Sequence, residues 1–340
     1  MKPIIWSWLF LTACCWGQPQ AVRFRRVAEP KEGAFTLLAP ADWRLSGGIT
    51  RVNPLASGGS LNAVAAKLDL ELASPDGRIR LRWYPENLYV DPRRNTAAAM
   101  FPVGGNYNGA QVFPLPGAFE YLDRGFAYHH PRASAVRAKS RHPLPDAARS
   151  YAAVAAAMRI PVEFRYDVGL RVIEYREDGS LWEEAQYTAI QDFAGSGLWC
   201  NKDTFGVRAP AGAIESSGRI VSIVLRSIEL EPKWVAGEIR GQIARNEISV
   251  RTQQEIARLD REITEHRRRT SAAINNQMYH TLMATEEYVN PFTRKVEVGS
   301  NAWRFRWVND RGEAIYTDDP GYDPVRAGLA GYVRSPVRQR

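Results

Sequence analysis

RIRLRWY, residues 78–84, sets Arg78, Arg80 and Arg82 on one side of an extended chain and Ile79, Leu81 and Trp83 on the other. This period-2 alternation is the pattern of an antiparallel strand with one face on a core and one in water. Pro75-Asp76-Gly77 supplies turn chemistry just before it, and the loosely alternating run Asn62 to Leu72 supplies a partner strand. Upstream, Phe35-Thr36-Leu37-Leu38 leads into Pro40-Ala41-Asp42-Trp43 and a Gly47-Gly48 turn. Downstream, residues 85–117 are rich in Pro, Gly and Asn and read as one long loop.

Ala118 to Tyr128 and Asp146 to Met158 read as helices. A second strand set follows: Val162 to Tyr166, Leu170 to Arg176 and Trp182 to Phe193, the last two joined by Glu177-Asp178-Gly179-Ser180. Thr204 to Ala209 and Ile220 to Ile228 complete it. The β-branched content of Ile220 to Ile228 favours a strand over a buried helix. The expected fold class is α+β, an antiparallel sheet packed with helices as a sandwich over residues 30–232. A long helix and a small C-terminal β-meander then follow.

From Lys233 to Tyr288 there is no proline and, after Gly241, no glycine, so this stretch reads as the long helix. Unbroken, it would be a rod on the order of 80 Å. Ile256, Leu259 and Ile263 begin an apolar seam that decays through His266, Thr270, Gln277 and His280, which weakens a sustained coiled coil and leaves homodimerisation as the lesser option. Asn290-Pro291 stops the helix. The tail, residues 289–325, reads as strands Lys295–Val298, Ala302–Val308 and Glu313–Thr317. In it Trp303, Phe305 and Trp307 share one side, with Arg304 and Arg306 on the other. Aromatics interleaved with arginines suit single-stranded nucleic acid or glycans. Clamping so small a sheet to the rest of the molecule is the simpler use. Residues 326–340 read as a flexible basic end.

The tail run Trp307-Val308-Asn309, Gly312-Glu313, Ile315 and Thr317-Asp318-Asp319-Pro320, with Tyr322 and Pro324, resembles the ending of a group of uncharacterised secreted bacterial proteins. These carry a long polar helix, an Asn/Asp-Pro turn and a W-x-N-x-x-G-E-x-I-x-T-D-D-P tail. The match covers residues 287–324, and the group's usual Thr-Gly reads Thr293-Arg294 here. The strand and Pro-x-x-Trp opening at Pro40 to Trp43 is similar in style to PsbP-like sandwiches. The resemblance implies layout and export, and no activity.

At the other end, Met1-Lys2 and the apolar run Ile4 to Leu11, broken by Ser7, have the proportions of a secretory signal over residues 1–17. The run is too short for a bilayer, which takes roughly 20 apolar residues. Leu11-Thr12-Ala13-Cys14 resembles the bacterial lipobox, which implies that Cys14 receives diacylglycerol and becomes the mature N-terminus. Cleavage after Gly17 or Ala21 would instead discard both Cys14 and Cys15. Cys200 is in that case a lone thiol and reads as a small buried hydrophobe, whereas with Cys15 retained a Cys15–Cys200 disulfide is the other option.

The 340-residue chain carries a net charge of +8, scattered as Arg23, Arg25, Arg26 and Lys31 near the start, Arg132, Arg137, Lys139, Arg141 and Arg149 along a loop-like segment, and Arg334, Arg338 and Arg340 at the end. That scatter argues against nucleic acid as the partner. No G-x-S-x-G, H-E-x-x-H, P-loop, G-x-G-x-x-G or C-x-x-C occurs. His129, His130, His142 and Asp146 are the one metal-like cluster, but adjacent histidines point apart, so no metal and no cofactor is expected. Glu183 and Glu184 beside Trp182 suggest a glycosidase pair, yet on a strand they face opposite sides, and a solvated edge is the plainer reading. Asp318, Asp319 and Asp323 suit calcium or ordinary turns.

These readings converge on an exported, envelope-tethered binding or scaffold protein without catalytic residues. Its partner would be an envelope protein or polymer, and the membrane through Cys14. The expected recognition element is loop 85–117, with Trp83, Tyr84, Tyr89, Phe101, Tyr107 and Phe113 as ligand-binding aromatics. The rivals are an envelope-polymer hydrolase using Glu183 or Glu184 and a structural assembly protein dimerising through the long helix.

Overall fold

The computed structural model describes residues 21–157, 162–245, 285–300 and 302–338. Cys14, Cys15 and the signal segment, together with the helical seam from Ile256 to His280, lie outside the described residues. The chain is mixed, with four helices and mostly antiparallel strands among those residues.

The first part runs β1 (Val22–Ala28), β2 (Phe35–Pro40), β3 (Arg44–Thr50), β4 (Lys67–Ala73) and β5 (Arg80–Trp83). The long loop contains three short strands, β6 (Leu88–Val90), β7 (Asn106–Tyr107) and β8 (Ala110–Val112). Then come α1 (Ala118–His129), β9 (Ser134–Pro143), α2 (Pro145–Ala157), β10 (Phe164–Glu177), β11 (Ser180–Phe193), β12 (Leu198–Pro210) and α3 (Ile214–Arg226). The chain closes with β13 (Glu229–Leu230), α4 (Pro232–Arg245), β14 (Thr285–Val289), β15 (Val296–Ser300), β16 (Phe305–Val308), β17 (Ala314–Thr317) and β18 (Val333–Arg334).

The large sheet has the order β3-β4-β5-β12-β11-β10-β9, with β6 to β8 attached beside β12. RIRLRWY behaves as its alternation predicts: Leu81 and Trp83 are buried while Arg80 is exposed. The central strands do not alternate, because both faces of the sheet are covered. From Glu183 to Asp192 every residue of β11 is buried. On one face α2 and α3 bring Ala147, Tyr151, Val221, Val224 and Leu225 into the main core with Leu70, Leu72, Leu81 and Tyr187. On the other, α1 lays Ala118 against Ile190 and Trp199, and Phe126 against Ile173 and Tyr175.

Four expectations are corrected. Ile220 to Ile228 is not a strand. All its β-branched residues but Ile228 lie in α3, which is apolar over a wide arc because Val221, Val224 and Leu225 enter the main core while Ile220 and Ile223 meet Phe24, Leu38 and Tyr316. The basic segment around Arg137 is not a loop but the edge strand β9, whose Arg137, Lys139 and Arg141 are ion-paired to Glu174, Glu183 and Asp123. An edge fringed with such cations resists pairing with other chains. Thr285 to Tyr288, read as the end of the long helix, is strand β14, paired to β15 with Tyr288 opposite Glu297.

The fourth concerns the tail, whose three expected strands do not form one meander: β15 pairs with β14 instead. The tail's β16–β17 hairpin joins β1 and β2 in a six-stranded sheet of order β13-β2-β1-β17-β16-β18, with Val22 opposite Tyr316. The side assignment within it also inverts: Arg306 is only 4% exposed, whereas Phe305 and Trp307 are half-buried. Arg306 lies across the rings of Tyr288 and Tyr316, donates to Ser335 Oγ at 3.0 Å and pairs with Glu297, so one buried guanidinium ties β14, β15 and the final strand together.

The strand registers define two ends of the molecule. Loops 51–66 and 84–117 leave the large sheet at one end, where Thr50 pairs with Lys67 and Trp83 with Leu70. Arg44, paired with Ala73, stands at the other. There β2 finishes at Pro40 opposite Phe24, and the Ala41 amide donates to the Arg23 carbonyl. The chain therefore enters β1 at the end opposite the long loops.

Candidate functional site

Of the aromatics expected to bind a ligand, most belong to the core. Trp83 is buried near Phe205. Tyr89 stacks on Trp199 at 4.1 Å, and Phe113 packs in the same cluster beneath the Arg124 guanidinium, 4.3 Å from its ring. Tyr84 packs tilted against His129, with ring centres 4.5 Å apart, at the C-terminal end of α1. Phe101 and Tyr107 are the pair left at the loop end, edge to face at 5.4 Å.

The loop end has its own scaffold. Asp91, buried and ion-paired to Arg93, accepts the backbone amides of Arg93 and Leu115 at 2.9 and 3.0 Å. Burial pushes its carboxyl up, but the Arg93 guanidinium and these two amides prevail and hold it at about 2. Asn62 clasps the neighbouring turns, donating to the carbonyls of Leu88 and Gly109 and accepting from the Leu88 amide and the buried Lys67 ammonium. Loop 53–63 locks onto loop 104–109 where Asn106 donates to the Ser57 carbonyl at 2.8 Å and the Leu61 amide to the Asn108 carbonyl at 3.0 Å. Gly59, at φ +149°, lies against the Asn108 backbone so closely that a Cβ has no space.

This rigid frame carries apolar side chains in water. Leu55 is 92% exposed, Met100 89%, Val103 59% and Phe101 39%. None of Leu55, Met100 and Val103 was singled out in the sequence, because a Pro/Gly/Asn-rich stretch draws attention to its aromatics. The usable signal was apolar residues inside turns that need none.

The paired glutamates lie in the opposite environment. Glu183 and Glu184 do face opposite sides, as the strand geometry requires, but neither is a solvated edge: both are 2% exposed. Glu183 pairs with Lys139 and accepts the Gly212 amide at 3.2 Å. Glu184 sits under α1, accepting from Tyr175 Oη at 2.9 Å and Gln186 Nε2 at 2.7 Å, with His130 Nε2 at 3.3 Å. A Cβ at Gly206 would come within 2.9 Å of its Oε1, so glycine clears the space this carboxylate fills. Burial raises the Glu184 carboxyl, and His130, Gln186 and Tyr175 together bring it below its ordinary value. Gln186 in turn accepts both Nε and Nη2 of buried Arg171, which also pairs with Asp123. Each carboxylate is committed to fixed donors inside the sheet, an arrangement of architecture rather than of an acid and base waiting for substrate.

The remaining candidates disperse. His130 enters this network, His142 pairs opposite Leu170 on β9, and Asp146 begins α2 beside Arg149. Among the described residues no group of three or more His, Cys, Asp or Glu side chains is placed to hold a metal ion. Asp318, Asp319 and Asp323 accept the amides of Arg304, Gly321 and Val325, the turn chemistry their spacing allows. Cys200 is buried, which pushes its thiol well up, and donates to Gln191. Trp303 packs on Tyr316, and Phe305 lies between Arg304 and Arg334. A shallow groove lined by Glu32, Arg51, Trp234, Gly237 and Glu238 is crossed by the Arg51 ion pairs to Glu32 and Glu238, at 2.8 and 2.9 Å.

The tail residues that carry the resemblance serve local folding. Asn309 accepts the amides of Arg311 and Glu313, and donates to the Glu313 carboxylate at 2.7 Å. Gly312 takes φ +73° in that turn, and Thr317 accepts the Asp319 amide. Arg294 stands at φ +59°, a left-handed position that suits the glycine of the resembling group. Among the described residues no helix is long and apolar enough to cross a membrane. No protein-family model matches the chain, and no curated protein is similar to it.

Proposed function

We propose that the protein is an exported, envelope-tethered binding or scaffold protein that works by recognition rather than catalysis. The observation that carries the reading is the frame described above, which fixes two loops and leaves Leu55, Met100 and Val103 in water. Burying such side chains is favourable by about 25 cal/mol per Å². With loops 53–63 and 104–109 fastened to each other, a partner that covers these exposed side chains gains that apolar burial. The partner is an envelope protein or polymer with an apolar face. Lipidation of Cys14 would put the β1 end towards the membrane and the loop surface away from it. Residues 14–21, fully extended, give a tether of about 25 Å.

Phe113 is unsuitable for a test because it packs against Trp199. The test is retention from the host's envelope fraction by the wild type and by the triple variant Leu55→Ser, Met100→Ser, Val103→Ser. The reading expects a defined set of partners lost by the variant while its melting temperature stays the same. Equal retention by both overturns it.

A further inference from the structure

His130 is the C-cap of α1, its amide bonded to the Phe126 carbonyl at 2.8 Å. Its ring stacks on Phe126 at 4.8 Å and lies between two buried carboxylates. Nδ1 is 3.2 and 3.3 Å from the Glu177 oxygens, and Nε2 is 3.3 Å from Glu184 Oε2. The side chain is 11% exposed, and the two glutamates are 8% and 3% exposed. An imidazolium has two N–H donors and satisfies both carboxylates. A neutral ring has one donor and one lone pair, and the lone pair then faces a buried carboxylate at hydrogen-bond distance.

The groups facing His130 come from three strands, two more supply charges one layer out, and the facing cation Arg208 is already paired to Glu177. On β10 are Tyr175 and Glu177, and on β11 is Glu184, which already accepts from Tyr175. On β12, Arg208 is held at 3.0 Å from Glu177 and over the Trp182 ring at 3.9 Å. Arg82 of β5 and Asp69 of β4 act one layer out, on His129 of the same helix. The sequence gives no sign of the trio, since Glu177 and Glu184 lie 47 and 54 residues away and meet His130 only through the packing of α1 on the sheet.

We propose that His130 is a pH-sensitive latch, which as imidazolium fastens the last turn of α1 and the 130–134 connection to the sheet and on losing its proton releases them. Burial alone pulls the imidazole down, but the hydrogen bond and charge of Glu184, joined by Glu177, more than offset it and leave its pKa above the ordinary histidine value. A raised histidine contributes stability that is fully present below its unfolded value of about 6.5 and is lost as pH rises through the higher folded value. The latch is therefore closed in mild acid and opens on the alkaline side.

The test is amide hydrogen exchange of the full chain at about pH 6 and about pH 8.5, corrected for intrinsic rates, on the wild type and His130→Gln, with a proton-NMR titration of the histidine rings. Protection of residues 126–134 should be lost in the wild type as pH rises, by one decade for each pKa unit by which the folded value exceeds the free one. In His130→Gln it should be low and flat, with α2 unchanged in both. The His130 ring should titrate above about 6.5. Flat wild-type protection, the same pH response in His130→Gln, or a ring midpoint at or below the free value overturns the latch. Should His130→Gln not fold, the wild-type exchange and ring midpoint decide alone.

Discussion

Glu184 and Leu55 each sit where the opposite polarity is the rule: a carboxylate 2% exposed beneath a helix, and a leucine 92% exposed on a turn. Around Glu184 the partners Tyr175, Gln186, His130, Arg171 and Asp123 form one connected set between α1 and the sheet. Around Leu55 the backbone is locked, yet the apolar side chain meets water. A buried polar group with its donors in place serves the protein's own folding. An exposed apolar group on a fastened turn adds nothing to the fold and gains only if a partner covers it. On the proposed reading, depth and satisfied bonding, not residue type, separate the structural region from the recognition surface.

The sharpest way to break this contrast is Glu184→Ala. It strands His130, Gln186 and Tyr175 around an empty site, and the expected loss is about 3–5 kcal/mol in urea denaturation. A loss under about 1 kcal/mol would mean that the network is not what holds α1 down. Next is Asp91→Ala, which removes charge-assisted bonds to Arg93 and Leu115 worth roughly 1.5–3 kcal/mol each. Exchange should rise over residues 91–117 and stay unchanged in β10 and β11. The same carboxylate predicts an acid response. Its folded pKa of about 2 lies below the unfolded value, so its contribution is complete above about pH 4 and fades as pH falls towards 2. Loop protection that does not weaken in acid would count against Asp91 as the anchor.

Smaller and opposite in sign is Arg294→Gly. Relief of a left-handed backbone at φ +59° should stabilise the protein by about 1 kcal/mol, read as a higher melting temperature. Smallest of all is Leu55→Ser with Met100→Ser, expected within about 0.5 kcal/mol of wild type. That indifference sharpens the contrast, because a stability loss would show that these side chains are needed by the fold itself.

Legibility followed the same division. RIRLRWY, the turn at Asp178-Gly179 and the helix from Ala118 were readable because local pattern and burial agree there. Ile220 to Leu225 misled because four of its six residues are β-branched, and that composition outweighed the helical spacing that appears only over the whole of α3. Arg306 misled because alternation gives two faces but not which one is covered. The carboxylates at 183 and 184 were read as opposed, which they are, and as solvated, which they are not, since the helix over Glu184 comes from more than fifty residues upstream. The exposed apolar set was beyond periodicity altogether: turns carry no period, and only Phe101 and Tyr107 of the expected aromatics remain at that end.

The most direct measurement is oxidation footprinting of Met100 in the full chain, alone and mixed with the host's envelope fraction. At 89% exposure its thioether should oxidise quickly in the isolated protein. Protection of Met100 in the retained complex, with Leu55 and Val103 shielded in a parallel radical-labelling run, is the predicted result. A retained complex in which Met100 oxidises at the rate of the free protein would contradict recognition at the loop end.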